Sequence, residues 1–271
     1  MSMSAGAEAA IVAEAMLWFC MRPNILLPAA LALLAASAAA HGADISWRDL
    51  ESRIQYGYYT EDAATLNKLA GVIAADESRD PLHAYYAALL DWRRALLAAQ
   101  GVAAVGASTG ELARRCVRAT DEALGMQADF ADALALRSAC QAAPLGRGAD
   151  FLPFAGRQLH KDIERARQLA PHDPRVLLVD ALNDYQLSSS TGGNKDRALA
   201  KLRQTVIAFD AERAGIERLP GWGAAEAYFY LARDLLDHAD PVAARDALEH
   251  ALLIAPEFLQ ARRLMAKILA G

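Results

Sequence analysis

The run Gly192-Gly193-Asn194-Lys195 has the glycines and the lysine of a phosphate-gripping loop. Such a loop needs G-x-x-x-x-G-K-[ST] after a β-strand, so that backbone amides cradle the phosphate and a hydroxyl reaches the metal. Here a helical pattern precedes the glycines and Asp196 follows the lysine. The run therefore reads as a helix stop followed by an Asn N-cap. His41, His83, His160, His172, His238 and His250 form no HxxxH or HExxH pair. No cysteine or acidic cluster completes a ligand set at zinc spacing. No Gly-x-Ser-x-Gly elbow occurs, which removes the commonest serine-hydrolase signature. Asp180 with Asp184, and Asp234 with Asp237, lie about one helical turn apart. Paired carboxylates serve glycosidases, but on helices they read first as a solvated or groove-lining face. The expectation is a chain that is not an enzyme, with no catalytic residue, no metal and no cofactor.

The elements behind these residues are helical. The chain has 271 residues, of which 54% are hydrophobic and 7% aromatic, with few β-branched runs. That composition excludes a disordered chain and argues against a β-sandwich. The net charge is −5, so no broad basic face is expected and nucleic acid is excluded as a partner. After Trp222, the residues Ala225, Tyr228, Phe229, Ala232, Leu235 and Leu236 recur at spacings of three and four, which marks one helix face. Asp240-Pro241 then supplies an N-cap and a first-turn proline for the next helix. The same periodicity places helices at 45–57, 61–76, 81–99, 109–125, 130–142, 151–170, 174–187, 195–215, 223–237, 241–254 and 258–269. They make five pairs and a C-terminal capping helix.

The chain also repeats itself. Ala251-Leu252-Leu253-Ile254-Ala255-Pro256-Glu257-Phe258 echoes Ala123-Leu124-Gly125-Met126-Gln127-Ala128-Asp129-Phe130, with a looser copy at Ala166–Pro171. Over residues 225–258 the order Tyr228, Leu231, Ala232, Leu235, Ala244, Leu248, Ala251, Pro256 resembles the tetratricopeptide repeat signature. The insertions Pro144–Asp150 and Ser188–Asn194 depart from a regular repeat. The Gly-Gly-Asn-Lys stretch and the Trp222-Gly223 pair also resemble exported bacterial proteins with degenerate repeats of this type. The resemblance implies an all-α, right-handed stack of antiparallel helix pairs whose concave face takes a peptide or a partner helix. On that reading Tyr185, Trp222 and Tyr228 are groove contacts, with Arg137 and Arg233 as anchors for a carboxylate. The expected function is a scaffold or adaptor for a protein or peptide in an envelope transport or assembly complex. The alternative is a small-ligand-binding accessory protein of a transporter.

Two features bear on the compartment. Arg22, the apolar run Ile25–Ala36 and the small residues Ala38-Ala39-Ala40 follow the order of a secretory signal peptide. Residues 1–20 then read as an upstream extension, 21–40 as the signal and 44–271 as the helical-repeat domain. The apolar run falls short of the roughly 20 residues of a bilayer span, so the mature chain is expected in the periplasm with no stable membrane insertion. Cys116 and Cys140 lie 11 residues before and 12 residues after Gln127-Ala128. In an antiparallel pair they sit at nearly one height. In an oxidising compartment they either form a disulfide or serve as two small apolar residues in a tight interface.

Overall fold

The computed structural model describes residues 46–145, 155–213 and 218–270. The signal-peptide and upstream-extension readings of residues 1–40 lie outside these. Eleven α-helices run through the described residues. They are α1 (Trp47–Tyr59), α2 (Ala63–Ala75), α3 (Pro81–Ala99), α4 (Thr109–Met126), α5 (Ala131–Ala142) and α6 (Ala155–Leu169). There follow α7 (Pro174–Gln186), α8 (Lys195–Arg213), α9 (Ala224–Asp237), α10 (Pro241–Ile254) and α11 (Leu259–Ala270). Each starts within a few residues of its sequence-read boundary, and short polar side chains fix most of the starts. Ser46, Asp62, Asp80, Ser108, Asp173 and Asp240 each accept a hydrogen bond from a first-turn amide. Pro81, Pro174 and Pro241 open their helices, where no amide is needed. Gly192 ends a short 3-10 turn with φ +97°, and Asn194 Oδ1 accepts from the Arg197 amide to start α8. The glycine run is therefore a connector and not a phosphate loop.

The helices stack as antiparallel pairs, α1/α2 through α9/α10, with α11 as a cap. Within each pair the first helix is the more enclosed. The buried positions of α7 include Val176, Leu178, Val179, Ala181 and Leu182, which leave no solvent-facing stripe in its middle. Its partner α8 buries Ala198, Leu202, Thr205, Val206 and Phe209, a single face. The odd-numbered helices thus form an inner row, with α1 on α3, α3 on α5, α5 on α7 and α7 on α9. Buried alanines such as Ala84, Ala88 and Ala95 on α3 let neighbouring backbones approach.

The inner row curls until its ends meet. Tyr59 Oη on α1 donates to Glu226 Oε2 on α9 at 2.6 Å, and Gln55 Nε2 donates to Oε1 at 3.1 Å. Arg93 on α3 forms an ion pair with the same carboxylate, and both side chains are 1% exposed. The Gly221 amide donates to Glu51 on α1 at 2.9 Å. Phe258 stacks on Tyr59 at 4.6 Å and lies 6.2 Å from Tyr58. Gly223, at φ +113°, makes the turn into α9, where an added Cβ would lie 2.7 Å from the Phe209 ring. The concave face of the stack is therefore largely filled by the protein's own side chains.

Cys116 on α4 and Cys140 on α5 face one another with Cα atoms 5.9 Å apart, and their sulfurs meet as a disulfide. The bridge ties the second pair to the third. Both sulfur-bearing residues are fully buried.

Two outcomes test this description. Glu226→Gln leaves the Arg93 guanidinium buried without its counter-charge and should cost about 3–5 kcal/mol by urea unfolding. The double change Arg93→Met with Glu226→Leu should cost less than Glu226→Gln alone, because no charge is then stranded. Thiol titration of the unfolded, unreduced protein should leave Cys116 and Cys140 unreactive. Their replacement by alanine should cost about 3 kcal/mol on the chain-entropy view, whereas two reactive thiols would show that the bridge does not form.

Candidate functional site

Curling the inner row leaves open surface at its two ends. All the odd-numbered helices run the same way, so one end gathers carboxyl termini and the other gathers amino termini. At the carboxyl end lies a depression of about 380 Å³. Its walls come from Leu96 and Gln100 at the end of α3, Tyr185 and Gln186 at the end of α7, and Tyr230 and Arg233 on α9, with Lys195 at the start of α8.

The side chains there are ordered by one another. The Tyr185 and Tyr230 rings meet edge to face at 5.9 Å. Arg233 Cζ lies 5.3 Å from the Tyr185 ring, 5.5 Å from Tyr230 and 5.8 Å from Phe229, a cation held by three π-faces. Lys195 Nζ lies 5.2 Å from the centre of the Tyr185 ring and pairs with Asp237. Tyr185 Oη also donates to Asp237 Oδ2 at 3.2 Å, and Gln186 Nε2 donates to Tyr230 Oη at 3.3 Å. Burial pushes the Tyr185 phenol up to about 12. Burial alone would raise the Asp237 carboxyl, but the Lys195 and Tyr185 hydrogen bonds outweigh it and hold the group below its ordinary range. Arg233 is exposed, and among the described residues no carboxylate lies within ion-pair distance of it, although its charge helps to hold the nearby Asp237 carboxyl down. Its donors face solvent at the mouth of an aromatic pocket, ready for a carboxylate or another flat anion.

The five groove residues expected from the sequence separate. Tyr185 and Arg233 come together at this mouth. Trp222 borders a separate depression of about 300 Å³ beside Glu51 and Gln55, but its side chain is core: it is 3% exposed, lies tilted against Trp92 at 5.3 Å and donates from Nε1 to Tyr85 Oη at 2.7 Å. It fills the axis that the curl of the inner row closes. Tyr228 faces the outer helices, donating to Asp210 on α8 at 2.6 Å and stacking on His250 of α10 at 5.1 Å. Arg137 is already engaged, bidentate on Asp162 at 2.9 and 2.6 Å and on Asp121 at 2.7 Å. Three of the helical carboxylates are engaged as well: Asp180 by Arg167 and Lys201, Asp184 by Arg197 and Lys201, and Asp237 by Lys195, whereas Asp234 is buried with neither carboxyl oxygen hydrogen-bonded. Among the described residues no group of His, Cys, Asp and Glu could hold a metal ion. Tyr230 and Lys195 complete the mouth, and sequence reasoning placed neither there. The run Tyr228-Phe229-Tyr230 beside Arg233 was the available signal, since three consecutive aromatics on one helix cannot all face the same way.

At the amino end, the starts of α5 and α7 carry a charge network. Arg175, almost fully buried, pairs with Asp132 at 3.2 Å and with Glu212 in a bidentate grip. Arg218 reaches Asp132 at 3.2 Å and also pairs with Asp173. Burial and the charge of Asp173 push the Asp132 carboxyl up to about 6, against the pull of both guanidiniums.

No protein-family model matches the chain, and no curated protein matches it. Solved structures do. The HusA haemophore from Porphyromonas gingivalis is 20% identical with a TM-score of 0.54, over 73% of this chain and 96% of that one. TTC0263, a thermophilic TPR protein in Thermus thermophilus, is 16% identical with a TM-score of 0.50, over 79% and 91%. These likenesses bear on the fold, and they place it with tetratricopeptide-type stacks of helix pairs. Among the described residues no helix is long and apolar enough to cross a membrane.

The Asp132 environment has a measurable consequence. A carboxyl with a folded pKa of about 6 holds its proton while the unfolded chain releases it near pH 4, at about 3.9. The stability it contributes is full below about pH 4 and declines as the pH rises towards 6. Asp132→Asn should therefore gain on the wild type across that window, by no more than about 3 kcal/mol. Urea midpoints of both proteins at half-unit pH steps read the difference. A constant gap would mean that Asp132 titrates normally.

Proposed function

We propose that this chain is an exported, non-catalytic scaffold or adaptor that takes a protein or peptide partner at the carboxyl mouth of its inner helix row. The observation that carries the reading is Arg233: an exposed guanidinium, fixed against three rings, with no carboxylate within ion-pair distance among the described residues. An acidic side chain or a chain terminus of the partner would pair with it bidentately. Tyr185 and Tyr230 would supply rigid contact area at little cost in side-chain entropy. The stacked pairs preform this surface, which lowers the ordering cost of binding. A place in an envelope transport or assembly complex accords with the signal-like order of residues 22–40.

A second reading rests on the size of the mouth. At about 380 Å³ it lies within the range of small-ligand sites. One structural relative is named a haemophore. On this reading the mouth takes a small anionic ligand with an apolar body, as an accessory protein of a transporter would.

Substitution separates binding from folding. Arg233→Ala and Tyr185→Ala should each abolish partner capture from periplasmic extract while shifting the melting temperature by about 2–4 °C at most, as expected for a loss of up to about 1 kcal/mol. Trp222→Ala should chiefly unfold the protein, at about 3–5 kcal/mol. If Arg233→Ala captures the same proteins as the wild type, the mouth is not the site. Titration of the isolated chain with haemin by absorbance tests the second reading, which requires binding that Arg233→Ala removes.

A further inference from the structure

A second, wide opening lies at the amino end, away from the mouth. It is a cleft of about 1390 Å³ between the last turn of α6 and the second half of α8, floored by the starts of α5 and α7. One wall is apolar: Leu177 with Ile207, Ala208 and Ala211. Ile207 is 68% exposed, on a helix whose opposite face is packed. What sets Ile207 apart from exposed Val242 and Leu253 is its place on the wall of a cleft. The alanines beside it leave room for a second backbone to approach.

The floor is charged and built. Asp132 and Asp173 are more than nine-tenths buried and held by the Arg175–Arg218 network. Three carboxylates, Asp132, Asp173 and Glu212, face two guanidiniums. Exposed Asp129 on the lip adds a further negative charge. Arg167, also on the lip, is engaged by Asp180 at 2.7 Å. The cleft is thus apolar on one side and short of positive charge on the other.

Size narrows the occupant. The stretch of α8 along the cleft, Gln204 to Glu212, is about 12 Å long, so a helix lying beside it makes two to three turns of contact. We propose that the cleft is a second docking surface, which takes one amphipathic helix of two to three turns from a partner protein. Its apolar stripe lies on Ile207 and Leu177, and a Lys or Arg at the edge of that stripe reaches the Asp132, Asp173 and Glu212 carboxylates. This mode reads a helix through anchors at i, i+3 and i+4. It is independent of the reading of the mouth.

The test uses the full chain and three labelled 14-residue helical peptides. All have the same composition of leucines. The first carries a lysine edge beside a leucine stripe, the second a glutamate edge, and the third scrambles the stripe. Fluorescence anisotropy should show the lysine-edged peptide binding at least tenfold more tightly than either of the others, with an affinity that falls as salt rises. Ile207→Asp, at an exposed position, should weaken that binding at least tenfold. Arg233→Ala should leave it unchanged, which separates this surface from the mouth. Equal binding of the lysine- and glutamate-edged peptides would overturn the proposal. So would no binding of the lysine-edged peptide at millimolar concentration, or an unchanged affinity in Ile207→Asp.

Discussion

One ion pair at the axis decides what the rest of the chain can do. Arg93 and Glu226 meet where the inner helices converge, out of reach of water. A charge so placed is tolerated only when its partner and its remaining hydrogen bonds are all present. Glu226 therefore recruits Tyr59 and Gln55, and Arg93 lies against the rings of Tyr58, Trp92 and Trp222 at 4.4, 4.6 and 4.9 Å. These demands draw the first pair onto the fifth. An open tetratricopeptide stack offers its concave face along its length, whereas here that face is consumed as core. Open surface is left at the two ends of the inner row.

The two ends differ for a backbone reason. Aligned peptide dipoles leave partial negative charge where helices end and partial positive charge where they begin. Lys195 and Arg233 lie at the carboxyl mouth. Asp132 and Asp173 lie at the amino end, where Asp173 also caps α7. Asp173 answers the field of the helix it caps, while Arg175 at the start of the same helix is tolerated there because Asp132 and Glu212 pair with it.

Local rules were legible in the sequence, and long-range closure was not. Asp240-Pro241 and Asp173-Pro174 announce helix starts, and alternating Ala and Leu at spacings of three and four announce the buried stripes. The Ala251–Phe258 echo of Ala123–Phe130 reveals the repeat. Trp222 was misjudged because its contacts lie on α3, 137 residues away at Tyr85, and no periodicity spans that distance. Arg137 was misjudged because Asp121 and Asp162 sit on helices of two neighbouring pairs. Glu226 interrupts an otherwise apolar helical stretch, Asp91, Arg93 and Arg94 interrupt another, and charges inside such stretches must find partners. Cys116 and Cys140 were a middle case, since equal height was legible from chain length while facing depended on the rotation of α4 and α5.

The contact of α11 with α1 changes what kind of polymer this is. Arg263 on the cap pairs with Glu61 at the α1–α2 turn, 202 residues earlier, beside the Phe258–Tyr59 stack. A linear repeat array is a one-dimensional chain of neighbours that frays from its ends and tolerates loss of a unit. Side-chain contacts between first unit and last tie the two ends together, so that fraying at either end must also break them. The array becomes indivisible, because a shortened version would have the wrong circumference to close. Its mean contact separation also rises, so folding is slower than for an open stack of equal length and closer to all-or-none.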